Sequence, residues 1–245
     1  MRNKWNKGLW GARGAVIALG LVALAALGVC AVPAPALADE KSDAQQLVDK
    51  ARLTLEAFVA DKEMGPPLKS LLQKARGVLI YPQVLRGAFV VGVSGGSGVF
   101  VTHDAKAKKW HGPAFYTIGE ASFGLQAGGD ASEVVLVALS ERGMTALLST
   151  SAKLGADTGI ALGPVGAGAE AATANLSADI ISYSRAKGLY AGISLEGAVV
   201  ATRGSLNKGY YGKEVSPTDI LVRHTVSNKN AAGLLSAVGK AAAAK

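Results

Sequence analysis

Apolar residues recur at helical spacing from Ser42 to Glu63, where Ala44, Leu47, Val48, Ala51, Leu55, Phe58 and Val59 share one face. The spacing predicts an amphipathic helix capped by Ser42 and ended by Gly65-Pro66-Pro67, because proline lacks an amide proton and clashes with the turn before it. Leu68 to Arg76 predicts a second, short helix. Leu68, Leu71, Leu72 and Ala75 lie on one of its faces, and Lys69, Lys74 and Arg76 on the other. From Gly77 the period changes. Val78-Leu79-Ile80-Tyr81, Ala88 to Val93 and Val99-Phe100-Val101 are β-rich runs punctuated by Gly and Pro, and Phe115 to Ala127 and Glu133 to Ser140 continue the rhythm. Glu141 to Ser151 turns helical; Ile180 to Tyr183, Leu189 to Leu195 and Ala198 to Thr202 predict further strands. Ser216-Pro217 opens a short helix over Thr218 to Arg223, and the Ala-rich tail from Asn230 is helical or frayed.

Glycine shapes the fold expected from these runs. Twenty-six of the 31 glycines fall in residues 39–245, many inside strand-like segments, where glycine marks bulges, bends or close backbone approach. The expected class is α+β: a curved, glycine-rich antiparallel β-sheet, barrel-like, with two N-terminal helices packed on it. Arg86 to Ser94 and Lys187 to Ser194 share an order of base, glycine, apolar, aromatic, apolar, glycine, β-branched and serine residues, allowing one gap. Two related hairpins would produce such an echo, and so would strand composition alone.

Composition narrows the chemistry. Of the 245 residues, 49% are hydrophobic and 18% charged, which excludes a disordered chain. A single cysteine excludes a disulfide framework and any multi-cysteine metal site. Residues 1–13 hold Arg2, Lys4, Lys7 and Arg13 without an acid, Gly14 to Val29 is uncharged, and Ala36-Leu37-Ala38 precedes Asp39-Glu40. This is the layout of a secretory signal peptide over residues 1–38 with cleavage after Ala38, its apolar run being shorter than the roughly 20 residues a membrane span needs. Leu27-Gly28-Val29-Cys30 is similar to a lipobox, making Cys30 a lipidation candidate, although Val29 fits that box poorly. The expected location is outside the cytoplasm: periplasm, outer membrane or secreted.

Removal of residues 1–38 takes away four bases and lowers the net charge from +8 to +4. What remains is uneven. Residues 39–63 carry seven acids against four bases, and residues 64–119 carry Lys69, Lys74, Arg76, Arg86, Lys106, Lys108 and Lys109 against Asp104 alone. A basic surface beside apolar groups suits anionic lipid headgroups, at about 1 kcal/mol per Lys or Arg near the surface. In Lys108-Lys109-Trp110 an indole that favours the membrane–water boundary adjoins two lysines, with burial of Trp110 beside a hairpin as the competing reading. The candidate lipid-binding residues are therefore Lys69, Lys74, Arg76, Arg86, Lys106, Lys108, Lys109 and Trp110. Nucleic acid would require more positive charge and exposed stacking aromatics.

Three motifs carry little chemistry. Gly92-Val93-Ser94-Gly95-Gly96 matches a nucleophile elbow, but a glycine turn into another strand follows where a helix is needed, and His224 alone could complete a triad. Gly163-Pro164-Val165-Gly166-Ala167-Gly168 lacks a phosphate-binding Lys-Ser or Lys-Thr, and Pro164 removes an amide. His103, Asp104 and His111 read as loop residues rather than as metal ligands. No catalytic residue, metal or cofactor is expected.

The ordered blocks Lys74 to Pro82, Gly95 to Val99, Trp110 to Phe115, Gly124 to Gly128, Ala161 to Gly166, Tyr183 to Gly197 and Tyr210 to Gly212 resemble the SYLF-domain family over about residues 44–223. The resemblance implies a non-enzymatic module that binds phospholipid, including phosphoinositides in eukaryotic members, some of which also bind actin. The phosphoinositide contact of that family is attributed to a basic amphipathic N-terminal helix. Here the helix from Ser42 is mixed to acidic, so Lys69, Lys74 and Arg76 on the next helix are the nearest substitute. The expected ligand is an anionic phospholipid membrane, with an envelope protein partner in a scaffolding role as the alternative.

Overall fold

The computed structural model describes residues 37–88, 91–123, 128–166, 177–186, 189–190 and 195–244. Cys30 and nearly all of the expected signal peptide lie outside these residues, as do Gly124 to Ala127 and most of Lys187 to Ser194. Two helices, α1 (Leu37–Ala60) and α2 (Gly65–Leu72), precede four long strands: β1 (Gly77–Ala88), β2 (Val91–Asp104), β3 (Lys109–Phe123) and β4 (Gly128–Ala138). Helix α3 (Glu141–Leu148) leads to short strands β5 (Ser151–Lys153) and β6 (Ile160–Leu162). Strands β7 (Ile180–Ala186), β8 (Leu189–Tyr190) and β9 (Val199–Thr202) follow. Helices α4 (Gly204–Tyr211), α5 (Pro217–Leu221) and α6 (Ala232–Ala243) close the chain.

The strands form one sheet in the order β5-β9-β3-β2-β1-β4-β7-β6, with β8 on β7, strongly curled into a half-barrel. The expected α+β class and N-terminal helices are present. One pairing departs from it: β6 runs parallel to β7. Both faces of the sheet are covered, and this explains why Val78 to Tyr81 and Val134 to Ala138 are unbroken apolar runs. Val78, Ile80, Val135 and Val137 point to a core built with Phe58, Leu68, Leu71 and Leu234 of α1, α2 and α6. Leu79, Tyr81, Val134 and Leu136 point the other way, toward Leu147 of α3 and Ile220 and Leu221 of α5.

Curvature is written into the register. Pro82 lies in a bulge of β1, where three steps from Ile80 to Gln83 face two on β2, and the same slip recurs against β4. Opposite it, a Cβ on Gly98 would fall 2.5 Å from the Ile80 carbonyl oxygen and from the Tyr81 ring, so only glycine lets the two strands approach.

Several boundaries differ from the sequence reading. Helix α1 starts ahead of Ser42, with Asp39 and Glu40 in its first turn, where acids suit the helix dipole; the expected cleavage after Ala38 therefore falls inside that turn. Pro66 and Pro67 do not merely end α1: they begin α2, because the first helical turn needs no amide donors. Strand β2 is continuous through Gly92 to Val101, so the expected glycine turn there is absent. Helix α4 had no counterpart in the sequence reading. Its Asn207 is fully buried and accepts from the Phe115 amide at 3.0 Å, just where pairing of β3 with β9 stops. Ser216 caps α5 in a reciprocal box with Asp219, as its position before Pro217 predicts.

Candidate functional site

The basic residues expected to form one patch are divided by the fold. Lys106, Lys108 and Lys109 sit exposed on the tight reversal between β2 and β3. Asp104 organises that reversal: its Oδ1 accepts from the Lys106 and Ala107 amides at 2.8 and 3.0 Å. Those two hydrogen bonds hold the Asp104 carboxyl below the usual carboxylate range. Lys108 adopts a left-handed backbone, φ 52°, which closes the turn. Among the described residues none of these three lysines forms an ion pair.

Arg76 and Arg86 correct the expectation. Arg76 follows the end of α2 rather than lying on it, and it pairs with Glu141 of α3. Arg86 lies toward the opposite end of the sheet, facing Ser94 and Asp130 in register and forming an ion pair with Glu120 at 3.7 Å. Eight residue steps along β2 separate the partner of Arg86, Ser94, from Thr102 near the tip, roughly 25 Å of strand at about 3.3 Å per residue. The carboxylates that neutralise these arginines come from outside residues 64–119, so a charge count along the chain misses them.

Lys74 is exposed two residues beyond α2, again not on that helix as expected. Lys69 is half-buried at a cleft of about 370 Å³ between α1, α2 and α6, joined there by Leu55, Val59 and Lys240. Lys240 had not been singled out, and only docking of α6 beside α2 brings it close. Trp110 is half-buried. Its indole lies 5.1 Å from the His103 ring and packs against the helix-covered core beside Gly239 of α6, so it is not a free boundary anchor.

Behind the lysine tip the fold assembles a group that the sequence could not place together. Asp104 ends β2, His111 lies on β3, and His224 follows α5. Each offers one ligating atom, and the three atoms lie within 4.8 Å of one another. A bulge in β3 at Gly112-Pro113 separates His111 from Ala114, while only Val101 intervenes between their β2 partners Thr102 and Phe100. Gly112 has φ +123°, and a Cβ there would touch Leu221 of α5 at 3.0 Å. The His111 and His224 rings stack with centroids 3.6 Å apart and planes 14° from parallel. Burial, then the neighbouring His224, push the His111 pKa down. His224 has φ 53°, and its Nε2 is 3.1 Å from the Leu221 carbonyl, which also accepts from Thr102 Oγ1 at 2.8 Å. No signal at residue 224 foretold this position.

Ser94 is placed within β2, half-buried, with strand on both sides. His224 lies near Asp104, ten residues further along the same strand, so the serine and the histidine of the elbow reading are not brought together. Among the described residues no helix is long and apolar enough to cross a membrane.

A family model described as "Ysc84: Las17-binding protein actin regulator" matches residues 119–241, and the chain belongs to that family. The human SH3 domain-containing YSC84-like protein 1 is 31% identical over 157 residues, 63% of this chain and 45% of the relative. Protein YSC84 of Saccharomyces cerevisiae is 31% identical over 171 residues, 68% of this chain and 35% of the relative. The Xenopus laevis SH3 domain-containing YSC84-like protein 1 is 29% identical over 171 residues, 67% and 50% respectively. The chain thus spans between about a third and a half of these relatives. The names in this family describe binding and regulation, not catalysis. All eight expected lipid-binding residues precede the segment matched by the family model.

Proposed function

We propose that the protein is a non-enzymatic binding module whose β2–β3 tip docks on anionic phospholipid headgroups. The observation that carries this reading is the contrast within the basic set: Lys106, Lys108 and Lys109 stand exposed without an ion pair among the described residues, while Arg76 and Arg86 are neutralised. Three lysines near a lipid surface supply about 3 kcal/mol. Lys69 and Lys74 serve as a second set, and Trp110 supports the tip by packing instead of inserting. The setting is the cell envelope after export, and intact mass distinguishes cleavage after Ala38 from a lipidated start at Cys30.

Vesicle sedimentation tests the proposal. The full chain is expected to pellet with vesicles containing phosphatidylglycerol, to stay soluble with phosphatidylcholine alone, and to lose binding as salt rises. Equal recovery on both vesicle types would overturn it.

The family description favours a second reading, a protein-interaction or scaffolding module. Recovery of a stoichiometric protein partner, with vesicle binding absent, would select it.

A further inference from the structure

We infer that Asp104, His111 and His224 form a binding site for one divalent cation of the zinc class, at the base of the β2–β3 tip. This goes beyond the docking role and does not depend on it. The three ligating atoms, supplied by three separate segments, all lie within 4.8 Å of one another. A tetrahedral zinc with bonds of about 2.0–2.1 Å needs its ligands roughly 3.3–3.5 Å apart, so small side-chain rotations close the set. Two imidazoles and one carboxylate are a donor set suited to zinc and poorly suited to magnesium or calcium, which take oxygen ligands.

The surroundings already orient the donors. The Leu221 carbonyl can only accept, so the His224 Nε2 beside it carries the proton and Nδ1 keeps the free lone pair. A ligating histidine commonly gives its other N–H to a backbone carbonyl in this way. Asp104 is fixed by the two amide hydrogen bonds to Oδ1, leaving its second oxygen for the cation. The His111 Nε2 is buried and has no hydrogen-bond partner among the described residues, a cost that either ligation or a proton-linked contact must remove. The His111 and His224 rings are stacked near-parallel, so joint ligation turns one ring until both in-plane lone pairs converge on the cation.

Three protein donors leave a fourth position for water or a ligand group. Asp104 and His224 open onto a cleft of about 500 Å³ that Arg76, Lys106, Glu141 and Met144 also line. With one carboxylate and two neutral imidazoles, a bound dication leaves the site with one net positive charge, adding to the charge of the lysine tip.

Isothermal titration of the full chain with zinc chloride tests the site. One equivalent per chain is expected. His224→Ala and Asp104→Asn are expected to weaken binding by at least about 10- to 100-fold. His103→Ala, which alters a cleft-lining histidine outside the set, is expected to leave binding within about threefold. Thermal melts without metal show whether each variant folds, and zinc should raise the melting temperature of wild type but not of His224→Ala. Absence of stoichiometric uptake by wild type overturns the inference. So does undiminished binding in both folded site variants, or a loss in His103→Ala equal to theirs.

Discussion

Two ends of the same long strands treat positive charge in opposite ways. At one end Lys106, Lys108 and Lys109 crowd the reversal between β2 and β3, whose single acid, Asp104, spends one oxygen on backbone amides. Near the other, Arg86 meets Glu120 across β2 and faces Asp130 across β4. In sequence both belong to the same acid-poor stretch. The lysines remain available because a tight turn projects them away from neighbouring strands. The arginine is neutralised because the sheet places Glu120 of β3 within reach of its guanidinium. A run of bases becomes a surface only where no paired strand supplies a carboxylate.

The largest expected effect separates these ends directly. Replacing Lys106, Lys108 and Lys109 together by Glu should lower affinity for phosphatidylglycerol vesicles by at least about 100-fold, from about 1 kcal/mol per lysine. Arg86→Glu should change it by less than about threefold; sedimentation measures both, and equal losses would break the contrast. Next, Trp110→Ala should lower stability to urea by about 2 kcal/mol, because the indole packs on His103 and α6. A Trp110 variant that lost vesicle binding without losing stability would restore the indole as an inserted anchor.

A smaller effect concerns the acid side of the lysine end. Asp179 accepts from Ser140 Oγ at 2.5 Å and from the Gly159 amide at 2.9 Å, which hold its carboxyl below the usual range, and Ser140 in turn caps α3. A lowered folded pKa stabilises above the unfolded value of about 3.9 and loses that contribution as pH falls through the folded pKa. Asp179→Asn should therefore lower the melting temperature by about 2–4 °C at pH 7, with the gap to wild type closing as pH falls below the ordinary carboxylate range. The smallest effect is at the arginine end. Glu120→Gln should alter stability by less than about 1 kcal/mol and strengthen vesicle binding only slightly, because the freed Arg86 lies far from the tip.

Much of the architecture was legible in local pattern. The face of α1 formed by Ala44, Val48, Ala51, Leu55 and Phe58 is buried as its period requires, and Ser216-Pro217 starts α5 where its chemistry demands. The strands were legible as apolar runs, but their ends were not. Gly95 to Gly98 looks like a turn, yet it is strand, because Gly96 and Gly98 answer a bulge at Pro82 on the neighbouring chain segment. Helix α4 escaped because Gly204 to Tyr211 has weak helical periodicity, and packing on α1 and β3 decides its state. Of the candidate lipid residues, Lys106, Lys108 and Lys109 are exposed, as a polar loop between two strands leads one to expect. The neutralisation of Arg76 by Glu141 and of Arg86 by Glu120 could not be read from sequence.

By itself the amino-acid sequence determined the types of most elements, the glycine-dependent curl of the sheet and the family to which the chain belongs. The element types rest on residues close in the chain, such as a period of apolar positions or a proline at a helix start, and the curl on an abundance of glycine inside strand-like runs. Tertiary structure alone decided which charges stay free and which histidines meet. Asp104, His111 and His224 come together only because a bulge in β3 and the docking of α5 fold distant segments onto one another. Interactions between side chains depend on distance in space, and distance along the chain does not report it.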